Sequence, residues 1–295
     1  MAERYQNYVN GAWTDASSGS VSTSTNPADL SDVIGEFQAS TSGDVNAAIS
    51  AAHDVKESWR RTSSLARGGY LLKAASYLEA NTEEFAQALT RECGKAILEA
   101  RGEIGRAVAL LQYYGVEGSN PVGSVVPSVN PNILLYTNRM PLGVVSLITP
   151  WNFPFAIPIW KMAPALVYGN TIVLKPASAT PHVATLIARM WEAVDLPAGV
   201  FNLVTGSGAA VGNELITNDK VAAISFTGST RIGMNIAAES AQRGKRYQLE
   251  MGGKNPVIVL PDADLEQAAE ITVSGAMKYS GQKCTATSRA IVVGN

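Results

Sequence analysis

The chain has 295 residues, 46% hydrophobic and 16% charged, which is ordinary globular composition with room for a sizeable core in about two domains. Its 23 Lys and Arg against 25 Asp and Glu leave a net charge of −2, which excludes the basic field that nucleic acid or an anionic membrane surface requires. Two cysteines, Cys93 and Cys284, and two histidines, His53 and His182, provide neither a disulfide framework nor zinc-ligand spacing, so no metal site is expected.

The polar start, residues 1–8, lacks the apolar stretch of a secretory signal and points to a cytoplasmic protein. Residues 8–35 mix short apolar pairs with Gly, Ser, Asn and Pro and read as small strands and turns wrapping a surface, without chemistry. Apolar residues recur at helical spacing over 44–59, 66–89 and 96–114, which predicts three scaffold helices. Cys93, between the last two, reads as a small semi-buried residue rather than a reactive thiol. Residues 118–139 carry Gly, Pro, Ser and Asn around Val125-Val126 and the alternating run 133–136. This predicts a β-hairpin whose exposed edges suit an oligomerisation arm.

Residues 143–169 are apolar over the length of a membrane span. Pro150, Pro154, Pro158 and Pro164 interrupt that stretch, and Asn152 and Lys161 would sit in lipid, so a strand, a turn and a buried helix are expected instead. From 142 onward strands at 144–148, 171–174, 201–204, 222–226 and 246–249 alternate with helices at 155–168, 181–194, 209–216 and 231–241. That alternation predicts an α/β fold with a Rossmann-like parallel sheet covered on both faces. Ligands bind such sheets beyond the carboxyl ends of the strands.

After the first strand comes Thr149-Pro150-Trp151-Asn152-Phe153-Pro154. The Asn152 amide is either an oxyanion donor, whose loss costs about 3–4 kcal/mol in such sites, or the cap of the next helix. After the second comes Lys175-Pro176-Ala177-Ser178, suited to a ribose or phosphate unless Lys175 is simply solvated. The turn Gly206-Ser207-Gly208-Ala209-Ala210-Val211-Gly212 has one residue more than the dinucleotide fingerprint, and Phe226-Thr227-Gly228-Ser229 opens a second helix. Two such turns on one sheet favour a dinucleotide over ordinary connections. Glu250, before Met251-Gly252-Gly253 and the apolar run 257–260, is a candidate general base. Its position after an apolar strand predicts partial burial and a raised pKa, although most glutamates are solvated. Asp262 and Asp264 begin a helix to 277. Finally Gly281-Gln282-Lys283-Cys284-Thr285 sets a lone cysteine after a glycine-marked turn, as a nucleophile would be set.

These motifs, in this order, resemble the NAD(P)-dependent aldehyde dehydrogenase superfamily from about Tyr8 onward, in particular its succinate-semialdehyde and 2-oxoglutarate-semialdehyde dehydrogenases. The resemblance implies that Cys284 attacks the aldehyde carbon, Asn152 holds the oxyanion, Glu250 activates the hydrolytic water and Lys161 lies in the proton path. It implies NADP or NAD held by Ile148, Thr149, Pro150, Trp151, Lys175, Ala177, Ser178, Gly208, Gly212, Phe226, Thr227, Gly228, Ser229, Ile232 and Met251. Phe153, Ile157 and Trp160 would line the aldehyde tunnel, with Lys283 and Thr285 beside the nucleophile; from its place next to Cys284, Lys283 reads as a contact for a substrate carboxylate. Ser178 stands where many NAD-preferring relatives have an acidic residue, so NADP is expected to be accepted. The resemblance divides the chain into a dinucleotide-binding domain at 1–117 and 140–249, an oligomerisation hairpin at 118–139, and the first part of a catalytic domain at 250–295. Family members continue past the position of Asn295, and the complete protein is expected to be a homodimer or homotetramer. A CoA-acylating relative, against which Glu250 argues, and an inactive cofactor-binding chain are the competing readings.

Overall fold

The computed structural model describes residues 2–120 and 122–294. Met1, Pro121 and Asn295, which include both expected outer boundaries and one position of the hairpin arm, lie outside the described residues. The chain opens with β1 Arg4–Tyr5, β2 Asn7–Val9, β3 Ala12–Thr14, β4 Val21–Asn26 and β5 Asp29–Gln38. Four helices follow, α1 Ser42–Arg61, α2 Ser64–Ala80, α3 Thr82–Cys93 and α4 Ile97–Glu117, and then the two-residue strands β6 Val125–Val126 and β7 Leu135–Tyr136. The alternating region runs β8 Val144–Ile148, α5 Ala156–Val167, β9 Thr171–Lys175, α6 Pro181–Ala193, β10 Phe201–Leu203, α7 Asn213–Thr217, β11 Val221–Thr227, α8 Thr230–Gln242 and β12 Arg246–Glu250. Beyond it lie β13 Asn255–Val259, α9 Leu265–Met277 and β14 Thr287–Val292.

The fold is α/β. Its main sheet has seven strands in the order β12-β11-β8-β9-β10-β2-β3, the first five mutually parallel, β2 antiparallel to β10 and β3 antiparallel to β2. Alternation along each central strand sends side chains to both faces. Val145, Leu147, Ile172 and Leu174 pack on α2 to α6, while Val144, Val173, Ile224 and Phe226 pack on α1, α7 and α8. Phe155 is 0% exposed and meets Phe85 edge-on at 5.4 Å, a contact whose truncation to Ala in such cores costs about 3–5 kcal/mol. The stretch 143–169 is therefore a strand, a turn and a buried helix, and no helix among the described residues is long and apolar enough to cross a membrane.

Three expectations need correction. Residues 8–35 do more than wrap a surface: β2 joins the main sheet beside β10, with Tyr8 buried, and Asn7 accepts from the Thr205 N–H at 3.0 Å. The helix expected over 66–89 is two helices, because Asn81 and Thr82 turn their side chains back onto the Tyr77 and Leu78 carbonyls and Asn81 leaves helical geometry. The helix expected over 209–216 begins as a π turn, Gly208–Gly212, with the Ser207 hydroxyl accepting from the Ala210 N–H. Elsewhere the predicted elements match within a few residues.

Candidate active site

Strand register puts the candidate residues at one level. Lys175 pairs with Ile148, Ile148 with Phe226, and Phe226 with Leu249, while Thr227 pairs with Glu250 one step further on. The turns holding Thr149 to Asn152, Pro176 to Ser178, Gly228 to Ser229 and Met251 to Gly253 thus leave the same edge of the sheet. A bound molecule crossing that edge would meet all four.

The cysteine loop docks onto this edge through a few specific contacts. Asn152 Nδ2 donates to the Gln282 carbonyl at 2.8 Å, and Asn152 Oδ1 accepts from the Phe153 N–H at 3.1 Å. Asn152 therefore does not cap α5, which has no cap from its own preceding side chains. Asn255 Nδ2 donates to the Cys284 carbonyl at 2.8 Å and fixes the loop from β13. Ahead of the cysteine, Tyr279, Ser280 and Gly281 all adopt left-handed φ, of 58°, 51° and 71°. For the two non-glycines such a conformation costs on the order of 1 kcal/mol each and persists only where contacts over-determine it. Those contacts are present: the Tyr279 ring lies 4.5 Å from Phe153, its N–H donates to Glu99 Oε1 at 2.8 Å, and Lys283 Nζ sits 4.6 Å over its face. Cys284 is exposed, as is Thr285.

Two buried glutamates reach this region from the scaffold. Glu103, 1% exposed, accepts from the Phe155 and Ala156 N–H groups, each at 2.9 Å, and so caps α5 in place of a local residue. It pairs with buried Lys95, whose ammonium also donates to the Asn152 carbonyl at 2.7 Å. Glu92 does the same for α6, accepting from the His182 and Val183 N–H groups at 2.8 Å, and burial pushes its pKa up to about 7. Cys93 lies behind the turn, its thiol donating to the Trp151 carbonyl at 3.3 Å and its pKa raised by burial to about 11, as a packing residue rather than a nucleophile.

Glu250 departs from expectation. Within these 295 residues it is exposed, at the end of β12, the outermost strand of the sheet. The carboxylate accepts from Gln248 Nε2 at 3.0 Å, and Gln248 Oε1 lies 3.2 Å from Lys161 Nζ, forming a row Lys161, Gln248, Glu250. Lys161 also donates to Ser225 Oγ at 2.9 Å and to the Phe226 carbonyl at 3.2 Å, and burial lowers its pKa to about 8. Of the proposed tunnel residues, Phe153 and Ile157 are half-buried and Trp160 is 49% exposed.

The opposite end of the strand edge forms a cradle. Lys175 is not solvated: it is 5% exposed, donates to the Pro176 carbonyl at 2.8 Å, and has its pKa lowered to about 8 by burial without a carboxylate partner. A cavity of about 240 Å³ opens beside it, lined among others by Pro176, Ala177, Ser178, Thr205 and Gly206. Ser178 Oγ donates to the Gly206 carbonyl at 3.2 Å, and Gly212 lies against the Lys175 stem. Thr149 Oγ1 is buried without a hydrogen-bond partner, an orphan facing unmet demand. Ser229 caps α8, Ile232 follows in its first turn, and Gly228 and Gly233 pack so tightly that an added Cβ would come within 2.5 Å of Phe226 and Met251 respectively. A buried ammonium without a carboxylate partner among the described residues, one unpartnered hydroxyl at Thr149 and a close-approach helix start fit a dinucleotide.

A profile of the "Aldehyde dehydrogenase family" matches residues 13–295. The chain belongs to the aldehyde dehydrogenase family. Its relatives include the alpha-ketoglutaric semialdehyde dehydrogenase of Bacillus subtilis, 52% identical over 288 residues covering 98% of this chain and 59% of that one. The NADP(+) succinate-semialdehyde dehydrogenase of Escherichia coli is 39% identical, with 98% and 60% covered. The NAD+ complex of an aldehyde dehydrogenase from Bacillus cereus superposes with a TM-score of 0.95 at 36% identity, covering 98% of this chain and 59% of that one. The chain thus spans about three-fifths of the length of the aldehyde dehydrogenases it matches.

The structure brings Asn152 to the cysteine loop and Lys161 to the Glu250 strand, and sets Lys175, Ser178 and the Gly228–Ser229 turn along the same edge. Sequence reasoning missed Lys95, Glu99, Glu103, Asn255 and Tyr279. Of these, only Asn255, directly after Gly252-Gly253-Lys254, stood in a stretch already marked for attention.

Proposed function

We propose that the complete protein carrying this chain oxidises a short acidic semialdehyde to the corresponding acid with NAD or NADP. The observation that carries this reading is the Asn152 Nδ2 to Gln282 carbonyl hydrogen bond, 2.8 Å long, which ties the first strand-end turn to the cysteine loop above the sheet edge. In the reaction, the Cys284 thiolate adds to the aldehyde carbon and forms a C–S bond. The second N–H of the Asn152 amide and a backbone N–H of the loop stabilise the oxyanion. Lys175, Ser178 and the Gly228–Ser229 turn would hold the nicotinamide dinucleotide, which would supply the hydride acceptor for this carbon, while Cys284 keeps the acyl group bonded as a thioester. Glu250 then takes a proton from water, the hydroxide adds to the thioester, and the acid departs as the thiolate re-forms. Lys161 donates to Gln248 Oε1 and Gln248 Nε2 donates to Glu250, so in this reading the lysine orients the Glu250 carboxylate through Gln248.

Recognition of an acidic semialdehyde is supported by the relatives' substrates, and acceptance of NADP by the uncharged Ser178. The test is to incubate the complete protein with NAD or NADP and a panel of acidic, aliphatic and aromatic aldehydes, following reduced nicotinamide by absorbance and the acid by chromatography, with and without CoA. Acid formation that vanishes in Cys284→Ala is expected. No reduction with any aldehyde sinks the reading, and acyl-CoA as the product replaces it with the acylating alternative.

A further inference from the structure

One face of α4 looks onto the candidate site at positions 99, 103 and 106, which helical geometry stacks in a row. Glu99 meets the cysteine loop at the Tyr279 N–H, and Glu103 meets the start of α5. Arg106, the next in the row, lays its guanidinium over the Trp160 ring, 5.3 Å from the centroid. The carboxylates of this face are already engaged, Glu103 by Lys95 and two N–H groups and Glu99 by Tyr279. Among the described residues Arg106 makes no ion pair.

An arginine whose guanidinium sits over an aromatic ring can keep an edge of N–H groups free, and that planar edge matches a carboxylate in two parallel hydrogen bonds. Trp160 is 49% exposed, so the pair borders open space. Between Glu99 and Arg106 on the same face stands Gly102, where an added Cβ would meet nothing within 4 Å, leaving the way along the helix clear. From Glu99 to Arg106 is seven residues, roughly 10 Å along the axis, so Arg106 stands about two turns from the residue that touches the cysteine loop. The other candidate for this contact, Lys283, has its ammonium over the Tyr279 ring and serves the loop.

We propose that Arg106, seated on Trp160, binds the distal carboxylate of the substrate and selects acidic semialdehydes over neutral aldehydes of equal length. The inference rests on the aldehyde-oxidising reading above and adds a residue to it. In the complete protein, kcat and KM are measured for succinate semialdehyde and for a neutral four-carbon aldehyde, in the unmodified enzyme, Arg106→Gln and Arg106→Lys. Arg106→Gln is expected to lower kcat/KM for the acidic substrate by about 10- to 100-fold, through KM, and to leave the neutral aldehyde within about twofold; Arg106→Lys recovers part of the loss. An equal loss on both substrates, or an undiminished preference for the acid in Arg106→Gln, overturns the proposal while the oxidation chemistry stands. An unmodified enzyme that oxidises both aldehydes equally well overturns the proposal together with the acidic-substrate reading. No oxidation of either removes the reaction itself.

Discussion

α5 and α9 are nearly the same length, yet α5 buries seven residues, including Ile159, Met162 and Leu166, whereas α9 buries none. The contrast extends to the strands: β9 is buried throughout, while β14 is exposed along most of its length. The cofactor side of the site is therefore set by a close-packed core, in which each side chain is restrained from several directions. Within these 295 residues the cysteine-loop side is held by a few polar and aromatic contacts at Tyr279, Asn152 and Asn255. The proposed chemistry at Cys284 draws on both sides, and within this chain they are held by different contacts that should respond differently to perturbation.

The largest expected effect separates chemistry from stability. Cys284→Ala, in the complete protein, should lower aldehyde oxidation by about 10⁴-fold or more, while the unfolding free energy from urea titration changes by less than about 0.5 kcal/mol, because the loop is held through the Gln282 and Cys284 carbonyls rather than through the thiol. Glu103→Ala should do the reverse on the core side. It leaves buried Lys95 and two α5 N–H groups without their partner, and equilibrium denaturation should report a loss of about 3–5 kcal/mol.

Glu92 sharpens the same side through pH. Burial raises its pKa from 4.5 to about 7, so the folded chain holds a proton there that the unfolded chain has released between those values. The stability contributed by the protonated group is fully present below pH 4.5 and is lost as pH rises through about 7, on the order of 3 kcal/mol in total. Glu92→Gln should flatten denaturation midpoints measured across that window, and an unchanged slope would show that Glu92 does not titrate there.

On the nucleophile side, Tyr279→Ala removes the ring contact with Phe153 and the hydroxyl contact with the Glu99 carbonyl. Hydrogen exchange over residues 279–286 should quicken by about 1–2 kcal/mol of local opening, with the β8 to β11 amides unchanged. Equal quickening in the sheet would mean that the two sides are one cooperative unit. The smallest effect concerns the cradle: Ser178→Glu should weaken NADP relative to NAD by about tenfold in fluorescence titrations, through repulsion of the 2′-phosphate, leaving NAD affinity nearly intact.

What sequence reading captured were the strand ends, and the physical reason is the alternation. A buried parallel strand must be apolar, and the turn after it must be small or polar, so residues such as Lys175 and Glu250 stand out against their neighbours. Register then follows from the sheet rather than from any one segment. Burial is less visible, because it depends on neighbours that sequence does not name. Glu250 looked enclosed by two apolar runs, but an edge strand has only one covered side. Conversely Glu92 and Glu103 sit in helices whose charged residues mostly face water, and nothing local distinguishes them from Glu83, which pairs with Arg101 on the surface. The break at Asn81 and the left-handed Tyr279 and Ser280 were hidden for a similar cause, since both are held by contacts with distant residues or by side chains folding back on the helix.

The capping of α5 by Glu103 has a consequence for how such a site can diversify. A helix that begins on its own serine or aspartate must keep that residue, and the turn around it is constrained to polar, N-cap chemistry. Here the acceptor comes from α4, eight residues beyond its own partner Lys95, so the α5 entry at 152–157 carries no capping duty. It can present asparagine, phenylalanine and isoleucine to a substrate and exchange the last two without unravelling the helix behind them. Fixed points in the scaffold leave the first turn of α5 available as a variable surface.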